Sequence, residues 1–177
     1  MTLKTLLVLI LSLWATASAA TQFQSGDWAA AKIGNQCFIY TQRAARDTSG
    51  ALIFSFGVQG LNAGFRYEYA PWPGDTQAPW DADDIILLEI DGATVWLGDE
   101  MMLGDSAVGY AADLTPGFVP EMAQAILGAT DTVTVALDRV ALGETWTYGV
   151  FSPMGFKETL DHARQWCEFD PGNLFES

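Results

Sequence analysis

His162 and Cys167 are the residues of this sequence whose types could form a nucleophile and its base. A thiol beside an imidazole that takes its proton is the nucleophile of cysteine hydrolases. The two residues stand five positions apart, and five helical steps rotate a side chain by about 140° around the axis. They therefore point to different faces of one straight helix. Cys167 joins an apolar stripe with Phe156, Leu160 and Ala163, whereas His162 falls on the surface, so we predict no Cys–His dyad.

Residues 1–20 have the pattern of a secretory signal peptide that is cleaved at its end. Lys4 precedes an apolar run over 6–14, and small residues follow at 17–19. An apolar run of about ten residues is too short to cross roughly 30 Å of hydrocarbon. We therefore expect a mature chain of residues 21–177 that forms a single β-rich domain, is periplasmic or secreted, and has no transmembrane segment.

Two cysteines, Cys37 and Cys167, remain in the mature chain. An even number of cysteines in an exported protein predicts a disulfide. Closing a loop of this length stabilises a fold by roughly 4–5 kcal/mol in the chain-entropy account. We expect the bond to tie the first strand to the last helix.

Other site chemistries find little support in the sequence. A serine hydrolase elbow is missing, and one histidine with two bridged cysteines does not make a zinc site. The acidic cluster at 81–84 lacks the spacing of a calcium-binding loop. Carboxylate pairs for glycoside hydrolysis cannot be selected among 22 Asp and Glu residues. We predict no catalytic residue, no metal site and no cofactor.

The segment 70–80, APWPGDTQAPW, is the most distinctive candidate for binding. Three prolines stiffen it, and exposed aromatic side chains mark binding surfaces. Trp72 and Trp80 are therefore candidate binding residues that could stack on a sugar ring or on a partner protein. The alternative is that both rings fold back as a lid over one end of the core.

Acidic residues dominate the charge of the chain. It has 8 Lys and Arg residues against 22 Asp and Glu residues, a formal net charge of −14 at pH 7. This charge disfavours nucleic acids and anionic membrane surfaces as partners, because each encounter begins with repulsion. The acids are dispersed, which also fits a solvated surface that keeps an exported protein soluble.

Alternation of apolar and polar residues predicts strands over most of the chain. Segments 36–42, 51–58 and 65–70 have this pattern. Segment 84–99 predicts a hairpin, because Asp91-Gly92 can adopt the positive φ angles of a tight turn. A second antiparallel pair is predicted at 131–138 and 145–151, since the connection is too short for a crossover.

Two short helices interrupt these strands. One is predicted at about 119–127, with Pro120 near its start and Gly128 just past its end. The other is predicted at 153–167, with Ser152 as its N-cap and Pro153 as its first residue. The chain is thus expected to be mainly β, an antiparallel β-sandwich or open barrel with two short helices.

The order of these features resembles the invasion-associated locus B family of exported bacterial proteins. The resemblance is carried by GDW at 26–28 followed by Cys37, by LLEIDGATVWL at 87–97, by VPEMAQAILGATDTVTV at 119–135 and by GVFSPMGFKETLDHA at 149–163. It implies an exported β-rich domain without known enzymatic activity, some members being linked to host-cell entry. It supplies no catalytic residues.

We therefore expect an exported, non-enzymatic binding domain of the bacterial envelope, whose partner is an envelope or host protein or a carbohydrate. One alternative is a carbohydrate-binding module that uses Trp72 and Trp80. The other is a hydrolase that works through a pair of acidic side chains. The sequence names neither the ligand nor the oligomeric state.

Overall fold

Two antiparallel sheets form the frame of the protein. The computed structural model describes residues 20–46, 49–75, 77–96 and 100–174. The predicted signal peptide lies outside these residues, apart from Ala20. From one edge to the other, the larger sheet consists of β1 (Thr21–Ser25), β2 (Trp28–Ile33), β3 (Gln36–Ala44), β4 (Ser49–Gly57), β5 (Gly64–Ala70), β9 (Gly109–Leu114) and β8 (Met101–Ser106). The smaller sheet consists, also from one edge to the other, of β11 (Glu144–Phe151), β10 (Val133–Arg139), β6 (Ile85–Ile90) and β7 (Ala93–Trp96).

Large side chains of both sheets meet between the two layers, so the predicted β-sandwich is confirmed. The rings of Tyr67 in β5 and Phe151 in β11 lie 6.4 Å apart, centroid to centroid. The alternation predicted for β4 is also confirmed, because one face of that strand is fully buried: Leu52, Phe54 and Phe56. The chain leaves β4 at Val58, which begins a short 3-10 turn.

The two predicted strand pairs are confirmed. β6 and β7 form an antiparallel hairpin whose turn residues Asp91 and Gly92 have φ angles of 51° and 81°. Such left-handed angles match the twist of the strands that the turn connects. β10 and β11 are also antiparallel neighbours.

Both helices are present, but one begins later than predicted. α1 spans Val119–Gly128, and α2 spans Phe156–Cys167. Pro153 was expected to open α2. Instead the Phe156 amide donates to the Pro153 carbonyl in a separate turn, and Gly155 stands before the helix with a φ of 93°. A left-handed residue cannot continue an α-helix backward, so the helix begins at Phe156.

Four strands were missed by the sequence analysis: β1, β2, β8 and β9. β2 reads WAAAKI, and its alanines give a weak apolar alternation although they pack well in the sheet. Cys37 consequently lies in the third strand, not in the first strand as predicted. The disulfide itself is confirmed: Cys37 and Cys167 are bonded, and their Cα atoms lie 6.2 Å apart.

The turn between β1 and β2 docks against the segment before α2. The Asp27 amide donates to the Met154 carbonyl at 3.0 Å, and the Trp28 indole N–H donates to the Ser152 carbonyl at 2.8 Å. The rings of Trp28 and Phe156 meet edge to face, with centroids 4.7 Å apart. With the disulfide, these contacts hold α2 against the inner side of β1, β2 and β3.

Candidate functional site

The residues considered for nucleophilic catalysis have structural partners. Cys37 and Cys167 are fully buried and bonded to each other, so neither thiol is free. His162 is half-buried and stacks on Phe23 of β1, with ring centroids 3.7 Å apart. Its ring also lies 5.5 Å from that of Trp166. His162 thus helps to pack the first strand onto α2.

The two candidate tryptophans lie in different environments. Trp80 is 7% exposed and packs against the rings of Tyr69, Tyr110 and Tyr148. The Tyr148 hydroxyl donates to the carbonyl of Pro79 at 2.5 Å, which holds the peptide before Trp80 against the core. Trp72 is 64% exposed. The two rings therefore do not share one exposed surface.

The acidic cluster at 81–84 is organised around an internal ion pair. Asp84 is buried, and its Oδ2 lies 2.5 Å from Nε of Arg139. Its carboxylate also accepts hydrogen bonds from the amides of Asp81 and Val140. Among the described residues, no group of three or more His, Cys, Asp or Glu side chains is placed to hold a metal ion. Asp84 instead fastens the end of segment 70–80, which we call the tryptophan segment, to the end of β10.

The outer face of the larger sheet carries one continuous row of side chains across five strands. Tyr40 of β3 pairs with Ile53 of β4, and Ile53 pairs with Arg66 of β5. Arg66 pairs with Asp113 of β9, which in turn pairs with Met102 of β8. Residues opposite each other in a sheet have neighbouring side chains, so the row changes from apolar to charged and back to apolar.

Arg66 is the centre of this row. Its Nε donates to Asp113 Oδ1 at 2.8 Å, and its Nη2 donates to Asp113 Oδ2 at 3.0 Å. Its Nη1 donates to Glu68 Oε1 at 3.2 Å. The bidentate hydrogen bond with Asp113 is the main reason that the pKa of Arg66 lies above its usual value, while burial opposes the rise. Such a fork-to-fork pair fixes the plane of the guanidinium.

Two depressions of about 310 and 270 Å³ lie along the row. Both are lined by Ile53 and Glu68, so the two depressions are adjacent, and we call them together the sheet-face groove. Its lining combines aromatic and aliphatic side chains with the charged centre. The residues used to define the sheet-face groove are Phe38, Tyr40, Gln42, Ala51, Ile53, Ser55, Arg66, Glu68, Val108 and Asp113.

The sheet-face groove draws its residues from β3, β4, β5, β9 and the turn after β8. The chain was compared with protein-family models, with curated proteins and with solved structures, and nothing matched. Neither of the described helices has the length and apolar content that crossing a membrane requires.

The tryptophan segment begins at one end of the sheet-face groove. Gly109, which follows Val108, lies so close to this segment that a Cβ there would come within 2.4 Å of Pro71 Cδ. Val108 lines the groove, and Trp72 follows Pro71 directly. The exposed ring of Trp72 thus belongs to the segment that borders this end of the groove.

Sequence analysis missed the charged centre. The alternation predicted for segment 65–70 places Arg66 and Glu68 on the polar side of a strand, as the structure does, but the strand that contains Asp113 was not predicted. The only available signal was the pattern RYE at 66–68, in which a basic and an acidic residue share one face. The second acidic partner of Arg66, Asp113, lies 47 positions away, across a connection that first enters the other sheet.

Proposed function

We propose that this protein is an exported, non-enzymatic binding domain of the bacterial envelope, and that its ligand lies in the sheet-face groove. The observation that carries the proposal is the Arg66 centre. It is a prearranged set of donors and acceptors, placed between apolar walls on an accessible sheet face. Concave sites that combine apolar walls with a few fixed polar groups are typical of ligand binding.

The accessibility of this centre supports binding. The Arg66 side chain is 38% exposed, and that of Asp113 is 41% exposed. A surface ion pair of this kind contributes little to stability, about 0–1 kcal/mol. The stability of the fold therefore does not account for three charged groups held together on a sheet face.

Two further features favour a binding protein over an enzyme. The cysteines are bonded to each other, and His162 is stacked on Phe23, so these reactive side chains have structural roles. The two carboxylates of the groove, Glu68 and Asp113, both accept hydrogen bonds from Arg66. Because both carboxylates are held in place by Arg66, they fit a role in binding a ligand.

Export and the resemblance to invasion-associated locus B proteins are part of the same proposal. A buried disulfide is typical of proteins that fold in the periplasm or outside the cell. Two segments that carry the resemblance, GDW at 26–28 and the strand-to-helix segment at 149–163, pack against each other through Trp28, Ser152 and Phe156. This contact gives the two segments a common structural role.

Hydroxyl-radical footprinting with mass spectrometry tests the proposal. The purified mature protein is oxidised with and without a solubilised envelope fraction. We expect the fraction to reduce the oxidation of Phe38, Tyr40 and Met102, which lie on the outer sheet face. Leu142, which is exposed in the turn of the smaller sheet, is the internal control and should be unchanged.

Protection confined to residues outside the outer sheet face would overturn the assignment of the groove. So would equal protection of Tyr40 and Leu142, because that pattern reports nonspecific coating. Loss of protection in an Ile53→Asp variant with wild-type thermal stability would confirm that the groove itself is covered.

A further inference from the structure

We infer that the sheet-face groove binds a neutral oligosaccharide, an inference that rests on the proposed binding function of this face. Three properties of the groove carry it: the donor and acceptor pattern of its charged centre, the amphipathic walls beside that centre, and its local charge. Each is a property of described side chains, and together they select one ligand chemistry.

The charged centre matches neighbouring sugar hydroxyls. A guanidinium has five N–H donors, and the contacts with Asp113 and Glu68 use three of them. The remaining donors stand next to carboxylate oxygens that can each accept a further hydrogen bond. A hydroxyl group both donates and accepts. Two adjacent hydroxyls can therefore donate to a carboxylate and accept from Arg66 without displacing the existing contacts.

The walls suit the C–H face of a sugar ring. Ile53 and Phe38 are half-buried, and the Tyr40 ring is accessible beside them. A pyranose presents C–H groups on its faces and hydroxyls around its edge. The apolar face can pack on Tyr40 and Ile53 while the edge reaches the Arg66 centre, which lies next to Ile53 in the same row. Tyrosine also offers a hydroxyl at the end of an apolar ring.

The local charge favours a neutral ligand. Arg66, Glu68 and Asp113 together carry one net negative charge, and the chain carries −14. Anionic ligands are repelled by both. A cationic ligand that used the free acceptor positions of these carboxylates would lie beside the guanidinium of Arg66 and be repelled by its like charge. A neutral polyhydroxylated ligand meets neither obstacle.

The shape of the groove points to several linked sugar units. Its two depressions, of about 310 and 270 Å³, lie side by side and share Ile53 and Glu68 as lining residues. Together they reach the usual volume of a small-molecule site, roughly 300–1,000 Å³. The groove runs on toward Val108, and the segment with Trp72 borders that end.

Isothermal titration calorimetry with neutral hexasaccharides tests the inference. The probes are cellohexaose, maltohexaose, mannohexaose, xylohexaose and chitohexaose, and oligolysine is the cationic comparison. We expect at least one hexasaccharide to bind with an affinity that changes little with salt, because no ions are released. Tyr40→Ala and Asp113→Asn should each weaken it by about tenfold or more, whereas Leu142→Ala should leave it unchanged.

Three outcomes would overturn the inference. The first is that no hexasaccharide binds although the envelope fraction protects Tyr40 in footprinting; the proposed binding function then stands with another ligand class. The second is salt-sensitive binding of oligolysine alone. The third is saccharide binding that Trp72→Ala abolishes while Tyr40→Ala and Asp113→Asn retain wild-type affinity, since the ligand would then lie on the tryptophan segment.

Discussion

Gly155 lies directly against the backbone of Ser25: a Cβ at position 155 would come within 1.8 Å of the Ser25 carbonyl oxygen. Gly155 also has a φ of 93°, in the region that favours glycine. Gly155 therefore satisfies two structural constraints. It must turn the chain into α2, and it must leave room for the first hairpin to dock.

A Gly155→Ala substitution should destabilise the protein by roughly 2–4 kcal/mol, because the left-handed angle and the collision with Ser25 add together. Gly34→Ala is the matched control. Gly34 also has a positive φ, of 59°, but no atom lies within 4 Å of a Cβ built there, so it should lose only about 1–2 kcal/mol. Denaturant midpoints measure both. Equal losses would show that the close approach to Ser25 has no energetic consequence.

Tyr67→Phe should leave the protein as stable as the wild type or more stable, by up to about 1 kcal/mol. The Tyr67 hydroxyl is buried and has no hydrogen-bond partner among the described residues. Burial is the main reason that its pKa is raised well above the usual value. Tyr148→Phe is the opposite case, because that hydroxyl donates to the Pro79 carbonyl. It should lose about 1 kcal/mol. Thermal or urea denaturation compares the two, and a clear loss in Tyr67→Phe would point to an internal partner.

Asp91 should make the stability of the protein depend on pH in the acid range. Its pKa is lowered from 3.8 to about 2, chiefly by hydrogen bonds from the amides of Thr130, Thr132 and Asp131. The folded protein holds the proton of Asp91 less tightly than the unfolded chain does. This contribution is therefore complete above about pH 4 and is lost as the pH falls toward 2.

Asp91→Asn tests this dependence while keeping a residue that tolerates a positive φ. We expect the variant to melt at a lower temperature than the wild type at pH 7. The difference should shrink below pH 4 and vanish near pH 2. Differential scanning calorimetry across this range measures it. A difference that stays constant down to pH 2 would show that the charge of Asp91 does not matter.

The disulfide should be inert in the native protein and important for its stability. Both sulfur-bearing residues are fully buried, so a mild reductant should release thiols only after denaturant is added. The double variant Cys37→Ala/Cys167→Ala should lose roughly 4–5 kcal/mol. Alkylation with mass spectrometry follows the thiols, and urea denaturation gives the stability. Rapid alkylation of native protein by reductant alone would contradict the buried placement.

Local chemistry made part of the fold predictable. Asp91-Gly92 predicted a tight turn because few residue pairs accept two positive φ angles, and the hairpin is there. The apolar stripe that ends at Cys167 predicted the buried side of α2, because helical spacing places its residues on one face. In each case residues close in the sequence decide the structure.

Contacts between residues far apart in the sequence determine the features that were not predicted. Whether Trp80 faces solvent depends on Tyr148, whose hydroxyl donates to the carbonyl of Pro79, a residue 69 positions earlier in the chain. The position of Arg66 beside Asp113 depends on strand order, because the chain builds β6 and β7 in the other sheet before β9 returns beside β5. A one-residue change in register would place Asp113 on the opposite face. Periodicity along one strand contains no information on such neighbours.

The bond between Cys37 and Cys167 also decides how the protein would respond to mechanical load. Tension applied at the two ends of the chain passes through this covalent link and bypasses the loop between the two cysteines, whose sequence separation is 130. Every residue that lines the sheet-face groove, from Phe38 to Asp113, lies inside that bypass. Pulling would strip β1 and β2 from the sheet edge, while the groove would keep its shape.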